Sequence, residues 1–173
     1  MLFKTIGIAL IVAGFGSWGL SKARDLEYRV NELNNIRLAI GFLEKEVTYT
    51  YTPLSRALSR TAIFCGKPTS VLFEESAELL QSREGTTAEE AWRAGIKKLA
   101  RISALSPGDI NLLESISSQI GMSEAGEQKK VFQLLQEELR MHQEKAREDV
   151  KSGRKLWSYG GFIIGAVIVL LLI

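Results

Sequence analysis

The chain closes on the stretch LWSYGGFIIGAVIVLLLI, residues 156–173, and none of these 18 residues is charged. As a helix, such a stretch is about 25 Å long, close to the roughly 30 Å hydrocarbon core of a bilayer. Its second half, AVIVLLLI, is apolar on every face, whereas a helix at the surface of a soluble fold needs a polar face. We therefore predict a transmembrane helix over 156–173.

A second uncharged stretch lies near the start of the chain. Residues 5–21, TIGIALIVAGFGSWGLS, follow the single early cation Lys4. A cleaved signal peptide would begin in a similar way, but Trp18 and Leu20 stand where signal peptidase requires small residues. We therefore predict that residues 1–21 form an N-terminal transmembrane helix.

Small residues recur at intervals of four in both predicted spans. In lipid, such spacing lets two helix backbones approach closely, and van der Waals contact then drives their association. Glycine is also common in membrane helices without any packing role. We expect the spans to pack on each other, or on partner spans, through Ala9, Ala13, Ser17, Gly161 and Gly165.

Basic residues flank the middle of the chain on both sides. Lys22 and Arg24 follow the first predicted span, and Lys151, Arg154 and Lys155 precede the second. Positive residues near span ends favour the cytoplasmic face of a membrane. We therefore expect a two-pass protein of the cell membrane whose central domain, residues 22–155, is cytoplasmic and whose two termini barely reach the opposite surface.

The central part is acidic once these flanks are set aside. Between Asp25 and Asp149 there are 20 acidic and 16 basic residues, a net charge of −4. This balance disfavours nucleic acid as a partner. The lone Cys65 allows no internal disulfide, and we expect it to be a small buried apolar side chain.

Apolar residues in the central part recur at helical steps of three and four, and no stretch alternates with the period of a strand. We predict an all-α antiparallel bundle of about six helices, entered and left by the two longest. The first long helix carries an apolar stripe of Leu26, Val30, Leu33, Ile36, Ile40, Leu43 and Val47. The last carries Val131, Leu135, Leu139, His142, Ala146 and Val150 on one face.

Capping residues and prolines set the boundaries of the shorter helices. Thr52 is expected to cap a helix that begins at Pro53, with Leu54, Ala57, Leu58 and Ile63 on its apolar face. The next helix is expected to begin at Thr69 or Ser70. Capping boxes are predicted at Thr87 with Glu90, ahead of the core residue Trp92, and at Ser106 with Asp109. Gly121 marks the expected end of the helix that begins at Pro107.

Residues that could carry chemistry are few. Neither EGTT nor GKPTS has the GxxxxGK[ST] spacing of a phosphate-binding loop. One His and one Cys exclude a metal cage built from those ligands, and we expect His142 to be packed and hydrogen-bonded. The paired carboxylates are one or two positions apart in the sequence and therefore point in different directions on a helix. We therefore expect neither catalysis nor a cofactor.

Three stretches carry a family resemblance: LEKEVTYTYTPLSRAL (43–58), TTAEEAW (86–92) and LSPGDINLLESISSQIGMSEAGEQKKVFQLL (105–135). In order and spacing, with two apolar ends, they resemble the stage III sporulation protein AB family of endospore-forming bacteria. The resemblance covers essentially the whole chain, and it brings no catalytic site with it.

The resemblance implies a component of the channel complex that joins mother cell and forespore, located in the outer forespore membrane and required for endospore formation. It implies a cytoplasmic domain similar to the helical F-domain of the type II secretion and type IV pilus platforms. By that analogy the domain would dock a secretion-type ATPase beside other membrane proteins of the channel. Those platforms have more spans and a duplicated domain, so transmission of force and simple anchoring both remain open.

Four charged residues in or beside these stretches are our candidates for the docking surface: Glu44, Arg56, Glu90 and Arg93. Each can also be explained as a cap or as part of a solvated helix face. Two other functional classes also remain: a membrane-anchored sensor or regulator that binds a cytoplasmic signalling protein, and, more weakly, a membrane enzyme. The first would be recognised by recovery of a kinase or transcription regulator, and the second by turnover of a substrate.

Overall fold

The computed structural model of the chain describes residues 2–82, 85–121 and 125–172. Side chains are left undescribed at 2–13, 15, 16, 18–20, 22, 23, 125, 154–162 and 164–172. Over the described residues the chain forms six α-helices and no strand: α1 (Leu2–Thr48), α2 (Leu54–Phe64), α3 (Ser70–Gln81), α4 (Ala88–Ala100), α5 (Pro107–Ser115) and α6 (Ala125–Leu172). A short 3-10 helix, Ser117–Gln119, follows α5. The predicted all-α class with about six helices is confirmed.

The chain divides into two compact units. One is the helical domain Arg29–Glu144, and the other comprises Met1–Tyr28 with Lys145–Ile173. Among the described residues, no helix combines the length and the hydropathy that a bilayer crossing requires. Most side chains of the two predicted spans, 1–21 and 156–173, lie outside the described residues. The same holds for the predicted packing residues Ala9, Ala13, Gly161 and Gly165, whereas Ser17 is exposed and its Oγ donates to the Gly14 carbonyl at 2.9 Å.

The core of the helical domain follows the middle of the predicted stripe of α1 but only part of the predicted stripe of α6, where Leu135 and Leu139 are buried while Val131 and His142 are half-buried. On α1, the residues Leu33, Ile36, Ile40 and Leu43 are fully buried. On α6, the buried residues of this domain are Gln128, Phe132, Leu135, Leu139 and Gln143. Each fully buried Leu, Ile or Phe stabilises the fold by about 1.5–3 kcal/mol. The buried stripes of the two longest helices therefore stabilise the bundle.

The helices α3 and α4 approach each other closely at Gly95. A Cβ atom at this position would overlap the Leu72 carbonyl oxygen and the Ser76 Oγ. Next to this contact, Phe73 and Trp92 pack edge to face with ring centroids 5.9 Å apart. Trp92 is fully buried, as predicted, and its Nε1 donates to the Leu113 carbonyl at 3.0 Å. The predicted start of α3 at Ser70 is also confirmed.

Both predicted capping boxes are present. In α4 the Thr87 side chain accepts from the Glu90 amide, while the Glu90 carboxylate accepts from the Thr87 amide at 2.9 Å. In α5 the Ser106 side chain and the Asp109 carboxylate make the same reciprocal pair, with Pro107 in the first turn. Each box satisfies amides that the helix itself leaves without partners.

The predicted start and apolar face of α2 are partly wrong. The helix begins at Leu54, and Thr52 does not cap it: the Thr52 Oγ1 donates instead to Glu46 Oε2 at 2.9 Å. The turn before the helix is made by Tyr51 with φ of 52°. Ile63, predicted on the apolar face, is 87% exposed, whereas Leu54 is half-buried. The buried face of α2 is formed instead by Ala57, Leu58, Thr61 and Ala62.

Gly121 does not end α5, and that prediction is also wrong. The helix ends at Ser115, and the buried Ile116 leads into the 3-10 helix. Gly121 has φ of 90°, a conformation that suits glycine, and a Cβ there would lie 2.7 Å from the Ala88 Cβ. It therefore turns the chain beside the start of α4.

Candidate docking surface

A groove of about 700 Å³ lies between α1 and α6. Leu38 and Phe42 line it from α1, Gln136 and Arg140 line it from α6, and Phe64 at the end of α2 closes one side. We call this the α1–α6 groove. Its walls belong to the two longest helices of the domain.

The floor of the groove is polar and tightly packed. A Cβ at Gly41 would lie 3.2 Å from Gln136 Oε1, so the Gln136 side chain of α6 packs against the α1 backbone at this level. Glu44 is only 8% exposed, and its carboxylate accepts from Gln136 Nε2 at 2.6 Å and from Gln133 Nε2 at 3.4 Å. Amide donors satisfy a buried carboxylate without bringing a second charge into the floor. Glu44 thus fixes the spacing of α1 and α6 beneath the groove.

Apolar side chains stand open on the wall of the groove. Phe42 and Phe64 are stacked with centroids 4.6 Å apart, yet Phe64 is 53% exposed and Leu38 is 51% exposed. Tyr49 lines the same groove, and its ring lies 5.0 Å from Lys129 Nζ. A hydrogen bond with Tyr49 raises the pKa of Lys129. Contiguous apolar surface of this kind is typical of interaction sites.

The rim of the groove is charged. Arg140 forms ion pairs with Glu137 at 2.6 Å and Glu144 at 2.5 Å, and its hydrogen bond lowers the pKa of Glu137. Lys45 also lines the groove and forms no ion pair within the described residues. An apolar patch surrounded by solvated charges has the anatomy of a protein-binding surface.

The other three candidate docking residues lie away from this groove. Arg56 is exposed on α2. Glu90 belongs to the capping box, where the hydrogen bond from the Thr87 amide lowers the pKa of its carboxyl. Arg93 pairs with Glu89 one turn earlier on α4, at 3.0 Å. Of the four candidates, the groove therefore includes only Glu44, and α4 holds Glu90 and Arg93.

A buried polar cluster that we did not predict joins three helices. Asp109 of α5 accepts from Arg29 Nε on α1 at 2.7 Å and lies 2.7 Å from His142 Nδ1 on α6. Burial raises the pKa of Asp109, but the bonds from Arg29, His142 and Ser106 outweigh it and hold this pKa well below its ordinary value. The prediction that His142 is packed and hydrogen-bonded is confirmed. In the sequence, Ser106 and Asp109 signal only the cap, since nothing local identifies the partners on α1 and α6.

We expected the cysteine to be buried, but the structure leaves it only half-buried. Cys65 is half-buried and its Sγ donates to the Thr61 carbonyl at 3.1 Å. Burial raises the pKa of the thiol to about 11, so little reactive thiolate forms at neutral pH. Among the described residues, no group of three or more His, Cys, Asp or Glu side chains could hold a metal ion.

Comparison with known proteins gives a consistent result. A family model described as stage III sporulation protein AB matches residues 4–173. Stage III sporulation protein AB of Bacillus subtilis (strain 168) is 25% identical over 171 residues, which is 99% of each chain. The solved structure of a stage III sporulation protein AB aligns with a TM-score of 0.66 at 24% identity, over 71% of this chain and 96% of that one, and supports the fold. The chain belongs to the stage III sporulation protein AB family.

Proposed function

We propose that the chain is a non-enzymatic, membrane-anchored scaffold of the channel complex that joins mother cell and forespore. In this proposal residues 1–21 and 156–173 are its two transmembrane helices, and residues 22–155 form the cytoplasmic domain in the mother cell. The domain docks a secretion-type ATPase and holds it beside the other membrane proteins of the channel. Family membership supports the sporulation role, and the helical domain supports the analogy with secretion platforms.

The observation that carries the docking role is the α1–α6 groove. It offers about 700 Å³ of open volume with Leu38 and Phe64 half exposed at its wall. Burying these two side chains against a partner would contribute at about 25 cal/mol per Å² of apolar surface removed from water. The charged rim, including Lys45, would select the partner and its orientation rather than add much affinity.

The walls of the groove suggest how a docked partner acts on the membrane. The helices α1 and α6 form these walls, and each continues without a break into one of the proposed spans. Glu44 and its glutamine partners hold the two helices at a fixed spacing, as does the Asp109 cluster. A load applied at the groove would therefore reach both spans through continuous helices. Glu44 supports this site from beneath, while Arg56, Glu90 and Arg93 would be further contacts outside the groove.

A matched pair of leucine variants tests the docking role. Leu38 lies in the groove and is 51% exposed, whereas Leu134 is 62% exposed on α6 and does not line it. We expect Leu38→Glu to abolish co-purification of the ATPase and the channel proteins from solubilised membranes of sporulating cells, and Leu134→Glu to retain it. Equal recovery of the ATPase and the channel proteins by both variants would refute the groove as their docking site. Recovery of a kinase or transcription regulator in place of the ATPase would favour a sensor.

The membrane arrangement needs a separate test. Single cysteines at Arg56 or Arg93, in a Cys65→Ser background, should resist membrane-impermeant thiol reagents in intact mother cells and react after permeabilisation. The protein should also stay with the membrane through alkaline carbonate extraction. Labelling from outside or release by carbonate would refute the two-span topology without bearing on the groove.

A further inference from the structure

The turn between α1 and α2 holds a tyrosine in a conformation that usually belongs to glycine. Tyr51 has φ of 52°, in the left-handed region, where a Cβ atom crowds the following carbonyl oxygen. The next amide, that of Thr52, donates back to the Glu46 carbonyl of α1 at 2.8 Å. Glycine is the usual residue where a chain reverses in this way after a helix. Tyr51 therefore strains the backbone where a glycine would not.

The ring of Tyr51 adds little to the stability of the folded domain. It is 76% exposed, so most of its apolar surface stays in water. A glycine at this position would relieve the strain and would remove almost no buried surface. The stability of the fold therefore does not account for a tyrosine here. Residues that keep such strain are concentrated at functional surfaces.

Neighbouring side chains hold the strained turn in place. Thr52 Oγ1 donates to Glu46 Oε2 at 2.9 Å, and Arg60 of α2 donates to the same oxygen at 2.8 Å. Together with the bond from the Thr52 amide, these contacts tie the turn to α1 and α2. Tyr51 is thus presented by a fixed turn, and a partner that binds a preorganised turn loses less conformational entropy than one that must order it.

Tyr51 lies at the edge of the α1–α6 groove. It follows Tyr49, which lines the groove, and two residues of chain span at most about 7 Å. Tyr49 is itself 62% exposed, and the exposed Lys45 lines the same end of the groove. The nearby carboxylate of Glu46 is already occupied by Arg60. A partner that covers Tyr49 would therefore come within reach of the Tyr51 ring.

We propose that Tyr51 is a contact residue for the protein that occupies the α1–α6 groove, with its ring buried against that partner. The proposal rests on the docking role above, and its occupant is the secretion-type ATPase of that role. Tyrosine is enriched among the residues that dominate interface energies, because its ring is large and rigid and its hydroxyl can form a hydrogen bond at the rim. The contact would then extend from Leu38 past the end of α1 at Thr48, about 15 Å along the helix axis.

Three variants separate the ring from the backbone. Tyr51→Gly removes the ring and relieves the strain, whereas Tyr51→Phe keeps both. Tyr28→Ala removes another exposed tyrosine of α1, one that does not line the groove. From solubilised membranes of sporulating cells, we expect Tyr51→Gly to recover about tenfold less of the ATPase than the parent. Tyr51→Phe and Tyr28→Ala should stay within about threefold of the parent.

Thermal unfolding of the same full-length chains in detergent gives the second readout. Tyr51→Gly should unfold at the temperature of the parent or above it, because the left-handed strain is relieved. Loss of the ATPase with an unchanged or raised Tm is the expected result. Loss of the ATPase together with a lowered Tm would assign Tyr51 to the fold and would overturn the proposal.

The variant Leu38→Glu keeps this proposal distinguishable from the docking role. If Leu38→Glu loses the ATPase and Tyr51→Gly retains it, the groove remains the docking site and the contact at Tyr51 is wrong. If neither variant loses the ATPase, the docking role itself fails and the proposal fails with it. A loss in Tyr51→Phe or Tyr28→Ala as large as that in Tyr51→Gly would also overturn the proposal, because the ring at position 51 would then not be what the partner contacts.

Discussion

Arg29 and Asp109 form a two-pronged ion pair across the bundle. Arg29 Nε lies 2.7 Å from Asp109 Oδ2, and Arg29 Nη2 lies 3.1 Å from Oδ1. Oδ1 also lies 2.7 Å from His142 Nδ1, and Oδ2 accepts from the Ser106 amide at 2.8 Å. One carboxylate thus ties α1, α5 and α6 together.

Removal of this carboxylate should be costly. Asp109→Ala removes the carboxylate that Arg29, His142 and the Ser106 amide share, and breaking a buried ion pair from one side costs about 3–5 kcal/mol. Chemical denaturation of the full chain in detergent, followed by circular dichroism, measures the change in the free energy of unfolding. Glu114→Ala, an exposed carboxylate on the same helix, is the control and should change it by less than about 0.5 kcal/mol. Similar losses for the two variants would contradict the structural role of Asp109.

The Asp109 cluster also predicts a pH dependence. The pKa of Asp109 is lower in the folded chain than in the unfolded chain, where it is about 3.9. Its stabilising contribution is therefore present above about pH 4 and is lost as the pH falls below that value, because the unfolded state then binds the extra proton. The difference in free energy of unfolding between the parent and Asp109→Ala should shrink below about pH 4.

The same pH series in a His142→Gln background isolates the Asp109 carboxylate from its imidazole neighbour. A difference that stays constant down to pH 3, or that grows as the pH falls in this background, would contradict the assignment to Asp109.

A pair of glycine variants tests the packing of α3 against α4. Gly95→Ala places a methyl group against the Leu72 carbonyl and Ser76 Oγ, and we expect a loss of about 1–3 kcal/mol, as for other overpacked cores. Gly126→Ala meets nothing within 4 Å, and it should be neutral or stabilising by up to about 1 kcal/mol through helix propensity. Thermal unfolding compares them. A Gly95→Ala protein as stable as the parent would show that the two helices are further apart than described.

The turn before α2 offers a test of backbone strain. Tyr51 has φ of 52°, a left-handed conformation that costs a residue with a Cβ about 1 kcal/mol. Tyr51→Gly should therefore have a free energy of unfolding about 1 kcal/mol above that of Tyr51→Ala, which keeps the Cβ and also removes the exposed ring. Equal stabilities of the two variants would contradict the assigned turn.

Local rules predicted the parts of this fold that depend on local interactions. The capping boxes at Thr87 and Ser106 were predictable because both partners lie within one turn of helix. The buried stripe of α1 was predictable because its period reflects a single apolar face. These interactions need no knowledge of which helix packs where.

Features that depend on the arrangement of helices could not be predicted in this way. Ile63 fits the apolar pattern of α2, yet the packing leaves it exposed. Glu44 was selected as a docking residue from its position in a family-like stretch, but its glutamine partners are 89 and 92 residues away. The α1–α6 groove itself depends on how two helices that are distant in sequence lie beside each other, which no local pattern indicates.

The most direct test of the scaffold role is photo-crosslinking in sporulating cells. A photoreactive amino acid at Leu38 should capture the ATPase, the same residue at Leu134 should not, and Arg56 and Arg93 show whether the contact extends to α2 and α4. Capture of the ATPase from Leu38 but not Leu134 is the result we predict. If Leu38 captures no partner while the protein is present and folded in the membrane, the groove is not the docking site and the account is wrong.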